Sequence, residues 1–243
     1  STRDLTHDSA HVLRRTSGLP VAAHLTCVGA SKAETLEVAD SFAEIGVTDI
    51  VALRGDPENG APTFTPHADG FADSVELIEA LAKTGKFTLR VGAYPEPHPE
   101  SHDQAQNVEW LKRKFDAGAD EAITQFFFET ETFLRFRDAC AAAGITKTIT
   151  PGIMPVTNWK SARNFATRCG ASVPAALDEA YAAAIRDDRH DLLSTALCTE
   201  MCSELVSEGV ENLHFYTLNR PELTRAVCRA LGVTSQTSLS DVA

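Results

Sequence analysis

Basic residues are scarce in this chain of 243 residues: 22 lysines and arginines face 34 aspartates and glutamates, for a formal net charge of -12 and a pI near 5.1. That balance argues against a nucleic-acid or anionic-membrane partner, while leaving room for a local basic pocket that grips a phosphate. No apolar run approaches the roughly eighteen residues of a membrane span, and the first thirty residues lack a signal-peptide pattern, so a cytoplasmic location is expected. The six cysteines, at 27, 140, 169, 198, 202 and 228, have no paired loop framework, and reduced thiols are expected. No strand leads into G-x-G-x-x-G, the RGDPENG loop lacks that spacing, and there is no nucleophile elbow, Ser-His-Asp order or C-x-x-C pair. Dinucleotide-fold, hydrolase and disulfide-exchange readings therefore lose their support, and a small-molecule partner remains.

The chain does contain a series of six short apolar segments, at 22–27, 50–56, 89–98, 122–128, 148–156 and 212–220, each ending abruptly on polar, charged or aromatic residues. Between them lie stretches of helical period at 4–16, 31–46, 72–85, 103–119, 130–144, 158–170, 174–185, 189–209 and 220–232. Gly46, Gly85, Gly118, Gly144, Gly170, Gly209 and Gly232 stand where a left-handed cap is wanted, and Ser31, Thr130 and Asn158 where an N-cap oxygen is wanted. Such alternation specifies a parallel α/β sheet that is either open and doubly wound or closed into a TIM (β/α)8 barrel; periodicity alone does not choose. One domain is expected over 1–233, followed by a tail at 234–243 without apolar period.

Parallel β/α proteins build their sites at the carboxyl ends of the strands, which points to His24, Arg54, Asp56, Tyr94, His98, Gln125 and Arg220. Each has a plainer reading. Asp56 can be a turn-initiating aspartate before Pro57, and His24 can be a satisfied core histidine. Arg113 and Lys114 either grip a diphosphate or form a solvated charged face. Gln125, inside AITQFFF, must meet a polar partner if buried, because an unpaired buried amide costs about 1–3 kcal/mol. The pairs His7/His11, His98/His102 and Cys198/Cys202 have metal-like spacing but no third and fourth ligand in register, so no metal is expected.

In order along the chain, AHLTC (23–27), IVALRGD (50–56), AYPEPHPE (93–100), LKRKFDAGAD (111–120), AITQFFF (122–128), PGIMPV (151–156) and HFYTLNR (214–220) resemble the blocks of the methylenetetrahydrofolate reductase family. The agreement runs from about Thr2 to Val233. The resemblance implies a TIM barrel that takes hydride from NADH or NADPH on FAD and passes it, in ping-pong fashion, to 5,10-methylenetetrahydrofolate, giving the 5-methyl form used in methionine biosynthesis. It further implies that His24, Arg54, Gly55, Asp56, Ala72, Tyr94, His98, Arg113 and Lys114 contact FAD, with Asp56 also beside the folate. Gln125 then reads the pterin and the nicotinamide in turn, Phe165 walls them, and Arg220 pairs with the folate glutamate. A homo-oligomer is expected.

Departures accompany the match. The family's first-strand glutamate, its general acid, and the second-strand threonine-tyrosine segment have no counterpart, and Ser1-Thr2-Arg3 resembles the family's residues just past that second strand. Six of eight barrel strands are thus expected in this chain, which reads as truncated, cleaved or incompletely recorded. Ser161 stands where a folate-contacting glutamine is expected, and Asn107 and Trp110 replace polar FAD partners. The competing readings are a flavin- or folate-binding remnant without turnover, and another barrel flavoenzyme such as a proline dehydrogenase-like oxidiser. A Schiff-base aldolase has no lysine at a strand end to use.

Overall fold

Fifteen helices and strands succeed one another in the expected order in a computed structural model that describes residues 2–57, 63–98, 100–101 and 103–233. They are α1 (Thr2–Ser17), β1 (Ala22–Thr26), α2 (Lys32–Glu44), β2 (Asp49–Leu53), α3 (Ser74–Thr84), β3 (Thr88–Ala93), α4 (Gln104–Asp116), β4 (Glu121–Phe126) and α5 (Thr130–Ala142). Next come β5 (Ile149–Ile153), α6 (Trp159–Cys169), α7 (Ala175–Arg186), α8 (His190–Ser207), β6 (His214–Phe215) and α9 (Pro221–Ala230). The expected tail and His102 lie outside the described residues. No helix among the described residues is long and apolar enough to cross a membrane.

The chain divides into two compact units. In the first, residues 1–92 and 110–122, β1 pairs parallel with β2 from Ala22↔Asp49 to Thr26↔Leu53, and β2 with β3 from Asp49↔Thr88 to Ala52↔Val91. Ile50, Ala52, Leu89 and Val91 are buried on these strands, as are Phe42 on α2 and Leu77, Ile78 and Leu81 on α3. Strands covered by helices this way read as continuous apolar runs. Arg90 bridges Asp49 and Glu121, the latter at 2.9 Å, so the charged residues inside these strands are matched with one another.

In the second unit, residues 93–109 and 123–236, β4, β5 and β6 lie in chain order, with β5 and β6 parallel through Gly152↔His214 and Ile153↔Phe215. Gly152 is fixed by a close approach: its amide donates to Thr124 Oγ1 at 2.9 Å, and an added Cβ would lie 2.1 Å from the Thr124 carbonyl oxygen. The unit has two apolar clusters, one around Phe126, Trp159 and Tyr181 and the other around Phe133, Cys202, Leu205 and Val227.

The glycine caps behave as the sequence suggests, since all seven have positive φ, from 63° to 114°. Ser31 forms a full capping box with Glu34, and Asn158 accepts from the Ser161 amide. Thr130 does not cap: Glu129 holds that position, Thr130 begins the helix, and its hydroxyl instead donates to Glu204. The sixth strand shrinks from the expected 212–220 to two residues. Leu218 and Asn219 adopt positive φ and the Arg220 amide donates to Thr217 O at 2.8 Å, which turns the chain away from extended geometry. All six cysteines are free thiols.

Candidate active site

In the first unit the polar residues gather where β1 and β2 end. The parallel pairing runs on past both strands, with Cys27 and Val28 amides donating to Leu53 O and Arg54 O at 3.3 and 3.0 Å. Gly55 then turns at φ 91°, and an added Cβ would sit 2.5 Å from Val28 Cγ1, so only glycine fits there. Asp56 comes next, exposed. Arg54 lays its guanidinium 4.8 Å from the centre of the Phe64 ring. His24 falls on the exposed side of the β1 alternation and is no core histidine; neighbouring protein nevertheless desolvates its imidazole enough to lower its pKa. The Ala72 amide is already taken, donating to Glu76 Oε2 at 3.2 Å, and that carboxylate also pairs with Lys32.

Lys114 is the exceptional group. Arg113 matches the charged-face reading, exposed and stacked 4.1 Å over Trp110, but Lys114 does not: it is 6% exposed, with Nζ donating to Gly92 O at 2.6 Å. Burial, reinforced by the Arg54 charge and opposed by Asp73, lowers its pKa to about 8. The reason lies in the helix period, because Asn107, Leu111 and Lys114 share one stripe of α4 and all three are buried. Long side chains on a buried stripe carry their charge inward, which residue type alone does not disclose.

In the second unit, Tyr94 and His98 meet edge to face at 4.5 Å and 76°. His98 Nδ1 accepts from the Glu100 amide at 3.1 Å. The loop between them is pinned by Asn107, which donates to Tyr94 O at 3.1 Å and Glu96 O at 2.7 Å, by Gln104 on Pro95 O, and by Glu96 accepting from the Ser172 amide. Gln125 Oε1 accepts from the Phe126 amide at 3.1 Å, and Gln125 lines a small pocket with Tyr94, Pro95, Glu96, Phe126, Cys169 and Ala171. Phe165 stacks on Phe126 at 5.3 Å and 29°, with the Arg168 guanidinium 5.5 Å from its ring centre.

The structure thus brings together Tyr94, His98 and Gln125 in one unit and Arg54 with Lys114 in the other. Arg220 stands apart, exposed at the start of α9 and outside the lining of the Gln125 pocket. Asn107 acts on the backbone of the 94–98 loop, and Tyr216 serves Thr124, its hydroxyl donating to that carbonyl at 2.9 Å. Burial pushes the Tyr216 phenol up to about 12. Sequence reading singles out neither role, although a polar residue on a buried helical stripe is the available signal for Asn107. No group of three or more potential metal ligands occurs among the described residues.

Parallel strands linked by helices, with polar residues gathered where the strands end, define a protein of the β/α class. Residues 1–232 match the family described as methylenetetrahydrofolate reductase. The chain is 42% identical over 233 residues to the 5,10-methylenetetrahydrofolate reductase of Pectobacterium carotovorum subsp. carotovorum, covering 95% of this chain and 76% of that one. It is 40% identical over 234 residues to the enzyme of the same name from Escherichia coli K12, with the same coverage. Among solved structures it resembles, at a TM-score of 0.52 and 14% identity, an uncharacterized protein from Clostridium thermocellum that binds two copies of 5-methyl-5,6,7,8-tetrahydrofolic acid; 87% of this chain and 72% of that one are covered. That last likeness concerns the fold alone. The chain belongs to the methylenetetrahydrofolate reductase family.

Proposed function

We propose that the protein reduces 5,10-methylenetetrahydrofolate to 5-methyltetrahydrofolate, with hydride drawn from NADH or NADPH by way of FAD in a ping-pong cycle. The observation that carries this reading is the continuous 42% identity with a reductase of that name through 95% of the chain. The same reading makes the strand series six eighths of a (β/α)8 barrel forming a single domain over 1–233, and the protein a cytoplasmic homo-oligomer.

The residues present fit an anionic dinucleotide. Lys114 is a buried ammonium whose pKa is lowered by burial and by the neighbouring Arg54 charge, and a diphosphate placed against the two would relieve that repulsion. FAD, when bound, supplies a two-electron store that accepts hydride from one partner and returns it to another. Arg54, Arg113 and Lys114 would hold its charged groups and Gly55 would let backbone approach it closely, while His24, Asp56, Ala72, Tyr94 and His98 are the further contacts that the family resemblance assigns to it. Because the Ala72 amide is engaged by Glu76, the contact there would fall to its methyl or carbonyl.

Gln125 has its oxygen occupied by the Phe126 amide and so offers two N–H donors, which suits the acceptor edges of both a pterin and a nicotinamide carboxamide. Phe165, backed by Phe126, offers a flat wall for either ring. Opening of the methylene bridge leaves a cationic iminium on the folate, and the Asp56 carboxylate would lower that barrier electrostatically. Arg220, exposed and planar, is the partner for the folate's glutamate carboxylates.

The test is the visible spectrum of the purified protein with FAD, followed without oxygen as NADH is added. Bleaching of a bound-flavin spectrum supports the reading. Flavin binding without bleaching would replace it with that of a binding remnant.

A further inference from the structure

A groove of about 340 Å³ lies within the second unit, between the segments after β4 and β5 and helices α7 and α8, and none of the residues discussed above for flavin or folate lines it. The volume falls in the range of small-molecule sites. Its walls are apolar: Phe127, Ile153, Met154, Leu177, Leu197 and Met201.

Two features give the groove chemical character. The first is its charge, because Glu129, Glu131, Glu200 and Glu204 line it and no lysine or arginine does. Glu131 is 3.7 Å from Arg135 and Glu204 accepts from Thr130, so Glu129 and Glu200 are the carboxylates without an ion pair or hydrogen bond among the described residues. The second lies at the opposite extreme of burial. Ser194 and Tyr181, each 2% exposed, both line the groove and bond to each other at 3.2 Å. Two hydroxyls bring two protons, and one bond uses one of them. Among the described residues no acceptor serves the other, and a buried donor left unpaired is costly.

We propose that this groove is a binding site for a small amphipathic organic cation: an amine on an apolar, flat body whose far end carries an oxygen or nitrogen acceptor. The ammonium sits among the rim carboxylates, the body against Phe127, Leu197 and Met201, and the acceptor takes the spare proton of the Ser194–Tyr181 pair. No covalent step is involved.

The probe is 2-(4-methoxyphenyl)ethylamine, titrated by calorimetry into the full chain at low ionic strength, beside 2-(4-methoxyphenyl)ethanol and 3-(4-methoxyphenyl)propanoate, which share its body but are neutral and anionic. Saturable binding of the amine, about tenfold tighter than the alcohol, with no binding of the propanoate, is expected for two exposed carboxylates acting through water. The double variant Glu129→Gln, Glu200→Gln should bring the amine to the alcohol's affinity and leave the alcohol unchanged; both positions are exposed, so the fold is kept. Tyr181→Phe, which removes the hydroxyl whose proton is left over when Ser194 donates to it, should weaken both ligands alike. Equal affinity for amine and alcohol, an unchanged amine affinity in the double variant, or no saturable binding at millimolar concentration would each overturn the proposal.

Discussion

Replacing Lys114 by methionine keeps the length of the side chain and removes its ammonium, and the consequence can be worked out from burial. In the folded protein the group has a pKa of about 8, against 10.5 for a lysine in an unfolded chain. Between those values the unfolded state binds more protons, so this group makes the protein more stable as the pH rises and weighs on it fully below about pH 8. At 1.36 kcal/mol for each pH unit, the interval amounts to about 3 kcal/mol. The lost bond to Gly92 O sets the absolute level of the variant. The discriminating quantity is therefore the difference in unfolding free energy between Lys114→Met and the parent, followed by urea titration and tryptophan fluorescence. That difference should shift by about 3 kcal/mol in favour of the parent between about pH 7 and pH 10.5. A difference independent of pH would mean instead that the ammonium stays hydrated in the fold. A diphosphate docking on the ammonium raises its pKa again, so FAD binding at about pH 8.5 should take up protons, which calorimetry in two buffers of different ionisation enthalpy measures.

Gly152→Ala places a methyl 2.1 Å from the Thr124 carbonyl oxygen and 2.6 Å from the Tyr216 ring, and should cost more than about 3 kcal/mol; an unchanged urea midpoint would contradict the close approach. Asn107→Ala strands the carbonyls of Tyr94 and Glu96 and should cost about 2–3 kcal/mol while loosening the 94–98 loop, read as weaker retention of FAD on gel filtration. Asp56→Asn should slow hydride transfer to the folate by roughly a hundredfold and leave reduction by NADH nearly unchanged, which single-turnover absorbance separates. Equal slowing of both half-reactions would show that Asp56 orders the flavin rather than the folate.

Much of the fold is legible in the sequence because parallel strands bury both faces and stop where polar residues begin. The strand ends at Arg54, Tyr94 and Gln125 fall within three residues of where β2, β3 and β4 finish. The capping box at Ser31 is signalled by its glutamate three residues on. The features that stay hidden depend on tertiary packing. Thr130 looks like a cap, yet its hydroxyl is drawn to Glu204 on α8, seventy-four residues away. The run 212–220 is apolar enough for a long strand, but the strand stops at Phe215 and two consecutive left-handed residues, Leu218 and Asn219, turn the chain before Arg220. Lys114 reads as surface until the α4 stripe is drawn through Asn107 and Leu111. The groove lined by Ser194 and Tyr181 has no sequence signature, because its walls come from the segments after β4 and β5 and from α5, α7 and α8 together.

Hydride transfer to a folate can be watched by loading the protein with FAD, reducing it with NADH, removing excess nicotinamide and mixing it anaerobically with 5,10-methylenetetrahydrofolate. The oxidised flavin spectrum should return with one equivalent of 5-methyltetrahydrofolate formed for each flavin, and Gln125→Ala should slow the return. A flavin that stays reduced in the presence of the folate, with no methyl product, would contradict such a transfer.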